Sequence, residues 1–147
     1  MPAREGPNMK ILVPVDGSAY SLKAVEAACD LAKAQAPSTI TLVAAVMQMP
    51  DLEEGVYIAE KMKAQAQIAL AKAKEVVKAQ GFAADEVLAI GPSPADEIVK
   101  VAKDQKVDLI VIGSRGLAGK TRSFLGSTAS QVVTYSPCSV LVVKTQD

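Results

Sequence analysis

The chain has 147 residues, half of them hydrophobic, with 16 basic and 16 acidic side chains and no histidine. This length and apolar content suit one folded domain, and the balanced charge gives no general reason to bind nucleic acid or an anionic membrane surface. The absence of histidine excludes Ser-His-Asp and Cys-His catalysis and removes the commonest metal ligand.

The composition at the start of the sequence does not predict a signal peptide. Residues 1–8 are polar, contain two prolines and a glycine, and lack the apolar stretch of a signal peptide, so we expect a flexible lead-in to one domain over residues 9–147. No apolar run reaches the ~18 residues of a membrane span. Cys29 and Cys138 match no metal-binding spacing and suit buried free thiols. We therefore expect a cytoplasmic protein without a membrane segment.

Strand-like and helix-like segments alternate along the domain. Short apolar or β-branched runs predict strands, and apolar residues at helical spacing predict helices. In chain order the predicted elements are a strand over Lys10–Val15, a helix from Ser18 to about Ala36, a strand over Thr39–Met47, a helix over Tyr57–Gln80, a strand over Glu86–Ile90, a helix from Ser93 to about Gln105, a strand over Val107–Ile112, a helix over Thr128–Tyr135 and a strand over Ser139–Lys144. This alternation predicts an α/β protein whose parallel sheet carries helices on both faces.

Capping and breaking residues mark several of these ends. Ser18 and Ser93 are N-cap candidates, Pro94 suits the first helical position, and Gly81 is expected to end the long helix. Pro14 is unusual in a central strand because it has no backbone N–H to donate. It fits at the end of the first strand, where it would shape the floor of a pocket.

Ligands of open parallel sheets bind beyond the carboxyl ends of the strands, where the strand order reverses. Three loops follow such ends: the Asp16-Gly17-Ser18 turn, the segment after Val46, and the segment from Gly113 to Ser127. The third is the most informative. Gly113 and Gly116 lack a Cβ, so their backbone can approach a phosphate closely.

Gly126-Ser127 stands where the last helix is predicted to begin, with Ser127 as its cap. Backbone N–H groups at a helix start attract anions. Arg115, Lys120 and Arg122 add three positive charges to the same loop, with no acid among them. The combination predicts a phosphate-binding site.

The best-known phosphate motifs do not fit this loop. A Walker A loop needs lysine directly after its second glycine, and the dinucleotide fingerprint belongs after the first strand. Asp16 has two interpretations: a ligand for ribose hydroxyls or Mg²⁺, or an Asx turn with a local structural role. Ser114 and Ser127 lack a neighbouring base, which disfavours covalent catalysis.

The chain resembles the universal stress protein family across essentially all of residues 9–147. The similarity rests on Ile11–Ser18, on Asp108–Gly116, and on Gly126-Ser127 followed by Ser136–Val143. The spacing Gly-x2-Gly-x9-Gly-Ser is the ATP-binding signature of that family. The resemblance implies a single doubly wound, five-stranded sheet in the order 3-2-1-4-5.

The resemblance also implies a binding site for ATP or AMP, which can bring Mg²⁺ with it. Asp16 and the backbone of Val46 would contact the adenosine part, and the glycines would hold ribose and phosphates. The full set of residues predicted to bind nucleotide is Pro14, Asp16, Val46, Ile112, Gly113, Arg115, Gly116, Gly126, Ser127 and Thr128. Family members form dimers through the fifth strand, and the apolar run Val140–Val143 would otherwise be an exposed edge.

Three functions follow from these features. The leading hypothesis is a stress-response protein that binds an adenine nucleotide and acts as a ligand-regulated homodimer. The alternative is a slow ATPase, or a phosphoryl or adenylyl transferase, that uses Asp16 and Mg²⁺, with Lys120 or Arg122 neutralising charge. A third is an interaction module with a vestigial pocket.

Overall fold

A computed structural model describes residues 9–48, 53–116 and 125–144, with the backbone alone at residues 53–57. Strands and helices alternate as the sequence predicts. The elements are β1 (Met9–Pro14), α1 (Ala19–Ala34), β2 (Ser38–Met47), α2 (Glu53–Ala79), β3 (Ala84–Gly91), α3 (Pro94–Asp104), β4 (Leu109–Gly113), α4 (Ser127–Tyr135) and β5 (Ser139–Val143).

The five strands form one parallel sheet in the order β3-β2-β1-β4-β5, which confirms the predicted topology. β1 pairs with β2 from Met9–Ser38 to Pro14–Val43. Its pairing with β4 is much shorter and registers only Ile11 with Leu109 and Leu12 with Ile110. The strand order reverses between β1 and β4, so a ligand site is expected beyond their carboxyl ends.

Helices cover both faces of the sheet. α1 and α2 pack on one face, against a core that includes Ile11, Val13 and Leu42. α3 and α4 pack on the other, against Leu12, Val43 and Ile110. Successive residues of one strand thus enter different cores, which explains why these strands are apolar throughout instead of alternating.

Local signals for helix ends are confirmed. The Ser18 Oγ accepts a bond from the Ser21 N–H at 3.1 Å, and Pro94 opens α3 behind the Ser93 cap. α2 ends before Gly81, which has a φ of +89°, and the Phe82 N–H donates to the Val77 carbonyl at 3.1 Å. A glycine in this left-handed conformation is the usual way to close a helix C-terminus.

Several boundaries differ from the predictions. α4 begins at Ser127, and its N-cap is Gly126, so the expectation that Ser127 caps the helix is wrong. α2 begins at Glu53 instead of Tyr57, because a single glycine early in a helix costs only about 1 kcal/mol. β4 begins two residues later than predicted. Asp108 instead ties the chain to Lys10, with its N–H donating to the Lys10 carbonyl at 2.9 Å and its carboxylate accepting the Lys10 N–H at 2.8 Å.

Some predictions fall outside the described residues. They are the lead-in over residues 1–8 and the cationic side chains Lys120 and Arg122. Within the described residues, no helix has both the length and the apolar character needed to cross a bilayer.

Candidate functional site

A cavity of about 500 Å³ lies at the carboxyl ends of β1 and β4, where the strand order reverses. Its volume falls in the range of small-molecule sites. The described residues that line it are Pro14, Val15, Asp16, Ser21, Val43, Ala45, Pro94, Ile98, Ile112, Gly113, Arg115, Gly116, Leu125, Gly126, Ser127, Thr128 and Ala129. They come from the ends of strands and from loops and helices on both sides of the reversal point.

The turn between β1 and α1 presents Asp16 at one side of this cavity. The Asp16 Oδ1 accepts a hydrogen bond from the Ser18 N–H at 2.9 Å, which is an Asx turn. Gly17 takes a φ of +89° between them, a conformation that side-chain-bearing residues rarely adopt. Asp16 therefore has the local structural role considered above and also lines the cavity.

The loop after β4 approaches this turn closely. A methyl group at Gly113 would lie 2.7 Å from the Tyr20 carbonyl oxygen. Gly113 is thus needed so that α1 can pack against the end of β4, a reason that the sequence pattern does not give. A methyl group at Gly116 would lie 2.7 Å from the Asp16 Oδ2, so Gly116 lets the loop backbone come up to this carboxylate.

The N-terminus of α4 forms the far side of the cavity. Gly126 precedes the first helical residue and has no side chain with which to cap it. The Gly126 N–H donates to the Ser114 carbonyl at 2.7 Å, which holds the helix start next to the end of β4. The first N–H groups of α4 carry partial positive charge and face a site lined by Ser127 and Thr128. This arrangement suits an anionic group.

One wall of the cavity is apolar, and four of its residues were not among those predicted to bind nucleotide. Val43 and Ala45 from β2 and Pro94 and Ile98 from α3 contribute to this wall. The contribution of α3 could have been anticipated, because its cap follows the carboxyl end of β3 at the same edge of the sheet. An apolar wall and a helix N-terminus in one cavity suit a ligand with a flat organic part and an anionic part.

The structure brings together nine of the ten residues predicted to bind nucleotide. They are Pro14, Asp16, Ile112, Gly113, Arg115, Gly116, Gly126, Ser127 and Thr128. Val46 is not among the described lining residues; it is 3% exposed, and its neighbour Ala45 lines the cavity instead. The charged residues of the described lining are Asp16 and Arg115.

The remaining candidates for chemistry lie elsewhere. Burial raises the pKa of the Cys29 thiol, which makes it less reactive, and Cys138 is half-buried beside Ser136. In the described parts of the chain, acidic and cysteine side chains do not gather into a group of three that could hold a metal ion.

Comparison with known proteins gives this fold and cavity a context. The model of the universal stress protein family matches residues 7–144. The chain belongs to the universal stress protein family. Universal stress protein YxiE of Bacillus subtilis is 39% identical over 146 residues, covering 92% of this chain and 98% of the relative.

Solved universal stress proteins share the fold. UspA from Lactobacillus plantarum superimposes with a TM-score of 0.81 at 27% identity, covering 95% of this chain and 99% of the other. A universal stress protein solved in complex with cAMP superimposes with a TM-score of 0.74 at 26% identity, covering 94% and 98%.

Proposed function

We propose that this universal stress protein binds an adenine nucleotide, ATP or AMP, in the cavity between Asp16 and the N-terminus of α4. The observation that carries the proposal is the make-up of that cavity. Its lining combines an apolar wall from β2 and α3 with a helix start whose cap is a glycine. A nucleotide has the matching parts, because its base is flat and largely apolar and its phosphates are anionic.

The geometry suggests where each part would lie. The base would pack against Val43, Ala45 and Ile98, the phosphates would meet the first N–H groups of α4, and the ribose would lie between them near Asp16. Any Mg²⁺ would arrive with the phosphates, and Asp16 is the carboxylate of the described lining that could join its coordination shell. The relative solved with cAMP supports an adenine nucleotide as the ligand class.

A homodimer through β5 is part of the proposal. β3 and β5 are the two edges of the sheet, and they differ in character. β3 exposes Asp85 and Glu86, charges that discourage pairing with another strand, whereas β5 consists of Ser139 followed by apolar residues. Leu141 is 40% exposed at the middle of β5. Pairing with a second copy would cover this edge.

The proposed role is a ligand-regulated response to stress in the cytoplasm, with nucleotide binding favouring one conformation of the dimer. The test is thermal and denaturant unfolding with and without Mg-ATP and AMP. A ligand at 100 times its Kd adds about 2.7 kcal/mol to the free energy of unfolding. No shift at millimolar concentrations of either nucleotide would contradict the proposal.

Sedimentation velocity tests the dimer separately. Leu141→Lys places a charge at the centre of the proposed interface and should yield monomers with the same fold. Ile68→Lys is the matched control, because Ile68 is 66% exposed on α2 and far in the fold from β5. Equal sedimentation of both variants and the parent protein would rule out this interface.

A further inference from the structure

Ser21 lies on the cavity wall, but its hydroxyl is hydrogen-bonded to the protein itself. Ser21 is 5% exposed and lies in the first turn of α1. Its Oγ–H donates to the Ser18 carbonyl at 3.0 Å, and its Oγ accepts the Asp16 N–H at 3.4 Å. A serine hydroxyl has one proton to donate. While that proton is donated to Ser18, Ser21 has no second hydroxyl proton to offer to a bound phosphate.

The Asp16 carboxylate is hydrogen-bonded through one oxygen and lies close to Gly116 with the other. Its Oδ1 accepts the Ser18 N–H at 2.9 Å, and its Oδ2 lies next to Gly116, where a methyl group would approach it to 2.7 Å. Both the amide of Asp16 and the carbonyl of Ser18 are bonded to Ser21. Ser21 therefore joins the two ends of the Asx turn that aims the carboxylate.

We propose that Ser21 is a positioning residue, which orients the Asp16 carboxylate toward the sugar hydroxyls of the nucleotide without binding the ligand's phosphate. This inference rests on the proposed nucleotide-binding function. It predicts that loss of the Ser21 hydroxyl weakens the recognition of ribose specifically. A residue that only stabilises α1 would affect all nucleotides alike.

The experiment compares the affinity of Ser21→Ala for AMP and for 2′,3′-dideoxy-AMP by calorimetry. The affinity for AMP should fall roughly fivefold to tenfold, about the worth of one hydrogen bond, while the affinity for the dideoxy analogue should not change. Ser38→Ala is the matched control, because the Ser38 hydroxyl also donates to a carbonyl three residues earlier, that of Gln35, but at the amino end of β2. Ser38→Ala should leave the affinity for AMP unchanged.

Two further variants keep the result decisive. Ser21→Cys keeps the size of the side chain with a much weaker hydrogen-bonding group, so it should show the same selective loss even if Ser21→Ala folds poorly. In an Asp16→Ala background, Ser21→Ala should have no further effect on the affinity for AMP.

Equal losses for AMP and the dideoxy analogue, or a full effect of Ser21→Ala without Asp16, would overturn the positioning role while leaving nucleotide binding intact. If the parent protein binds neither nucleotide, the proposed function fails and this inference fails with it.

Discussion

The N-termini of α1 and α4 both reach the cavity, but they are capped in different ways. α1 is closed by its own side chains, since Ser18 caps it and Ser21 bonds back to Ser18. α4 starts behind Gly126, which has no side chain to offer. An N-cap side chain satisfies backbone donors that would otherwise need another partner.

The difference indicates a division of work across the cavity. The Asx turn before α1 presents Asp16, and α4, whose Gly126 cap makes no side-chain hydrogen bond, would offer its first N–H groups to an anion under the proposed function. Under the proposed function, ligand recognition would depend on the capped start of α1 and on the start of α4 that lacks a side-chain cap. Substitutions at the start of α1 should therefore mainly lower stability, and substitutions at the start of α4 should mainly lower the affinity for the ligand.

The largest effect is expected from Gly113→Ala, which attacks the seating of α1 itself. The added methyl would lie 2.7 Å from the Tyr20 carbonyl oxygen and 2.9 Å from its carbonyl carbon, so the start of α1 must shift. Overpacking of this kind costs about 1–3 kcal/mol. Urea unfolding measures the loss. An unchanged midpoint would show that α1 is not held against β4 at this glycine.

A smaller loss is expected from Ser18→Ala, which removes the cap of α1 but leaves the Ser18 N–H to Asp16. Loss of a serine N-cap costs about 1 kcal/mol, which corresponds to a fall in Tm of roughly 2–4 °C for a chain of this size. Differential scanning calorimetry provides the measurement. A fall no larger than that of Ser38→Ala would mean that α1 does not depend on its cap.

The smallest effect on stability, and the sharpest test of the comparison, is expected from Gly126→Ser. Gly126 has φ −65° and ψ 163°, and a Cβ there would meet its nearest neighbour at 3.5 Å, so serine fits and can cap α4. The free energy of unfolding should change by only a few tenths of a kcal/mol. The affinity for AMP should fall roughly fivefold, because the new hydroxyl takes a donor from the phosphate.

Calorimetric titration of Gly126→Ser with AMP tests whether the missing side-chain cap of α4 serves ligand binding. Retained affinity together with a higher Tm would mean that this terminus lacks a cap for no functional reason.

The order of elements could be predicted from local patterns in the sequence, whereas the strand order 3-2-1-4-5 was implied by the resemblance to the universal stress protein family. Apolar strands, the Ser18 and Ser93 caps and the Gly81 stop all act within a few residues. The same holds for the position of the cavity, since the carboxyl ends of parallel strands meet at one edge. The residues predicted for that edge therefore lie together, except Val46.

The reasons for individual residues were harder to predict, because they depend on contacts between distant segments. Gly113 is a glycine because the backbone of Tyr20 occupies the space of its side chain. Ile98 lines the cavity because α3 packs over that end of β2; the place of α3 at this edge follows from the order of elements, but the choice of Ile98 depends on that packing. Ser127 looked like a cap because serine favours that position, but the chain enters the helix one residue earlier.

The brief pairing between β1 and β4 has a mechanical consequence. Strands β3, β2 and β1 form one part of the sheet, and β4 and β5 form the other. At the amino end of the seam, which is the boundary between β1 and β4, Lys10 and Asp108 join the two parts through hydrogen bonds. Beyond Leu12 and Ile110 the registered ladder stops. A ligand that contacts Asp16 and the start of α4 would bridge the two parts of the sheet at the carboxyl ends of β1 and β4. Slower hydrogen exchange of the backbone amides of β1 and β4 in the presence of the ligand would then report occupancy of the site more directly than any change in overall shape.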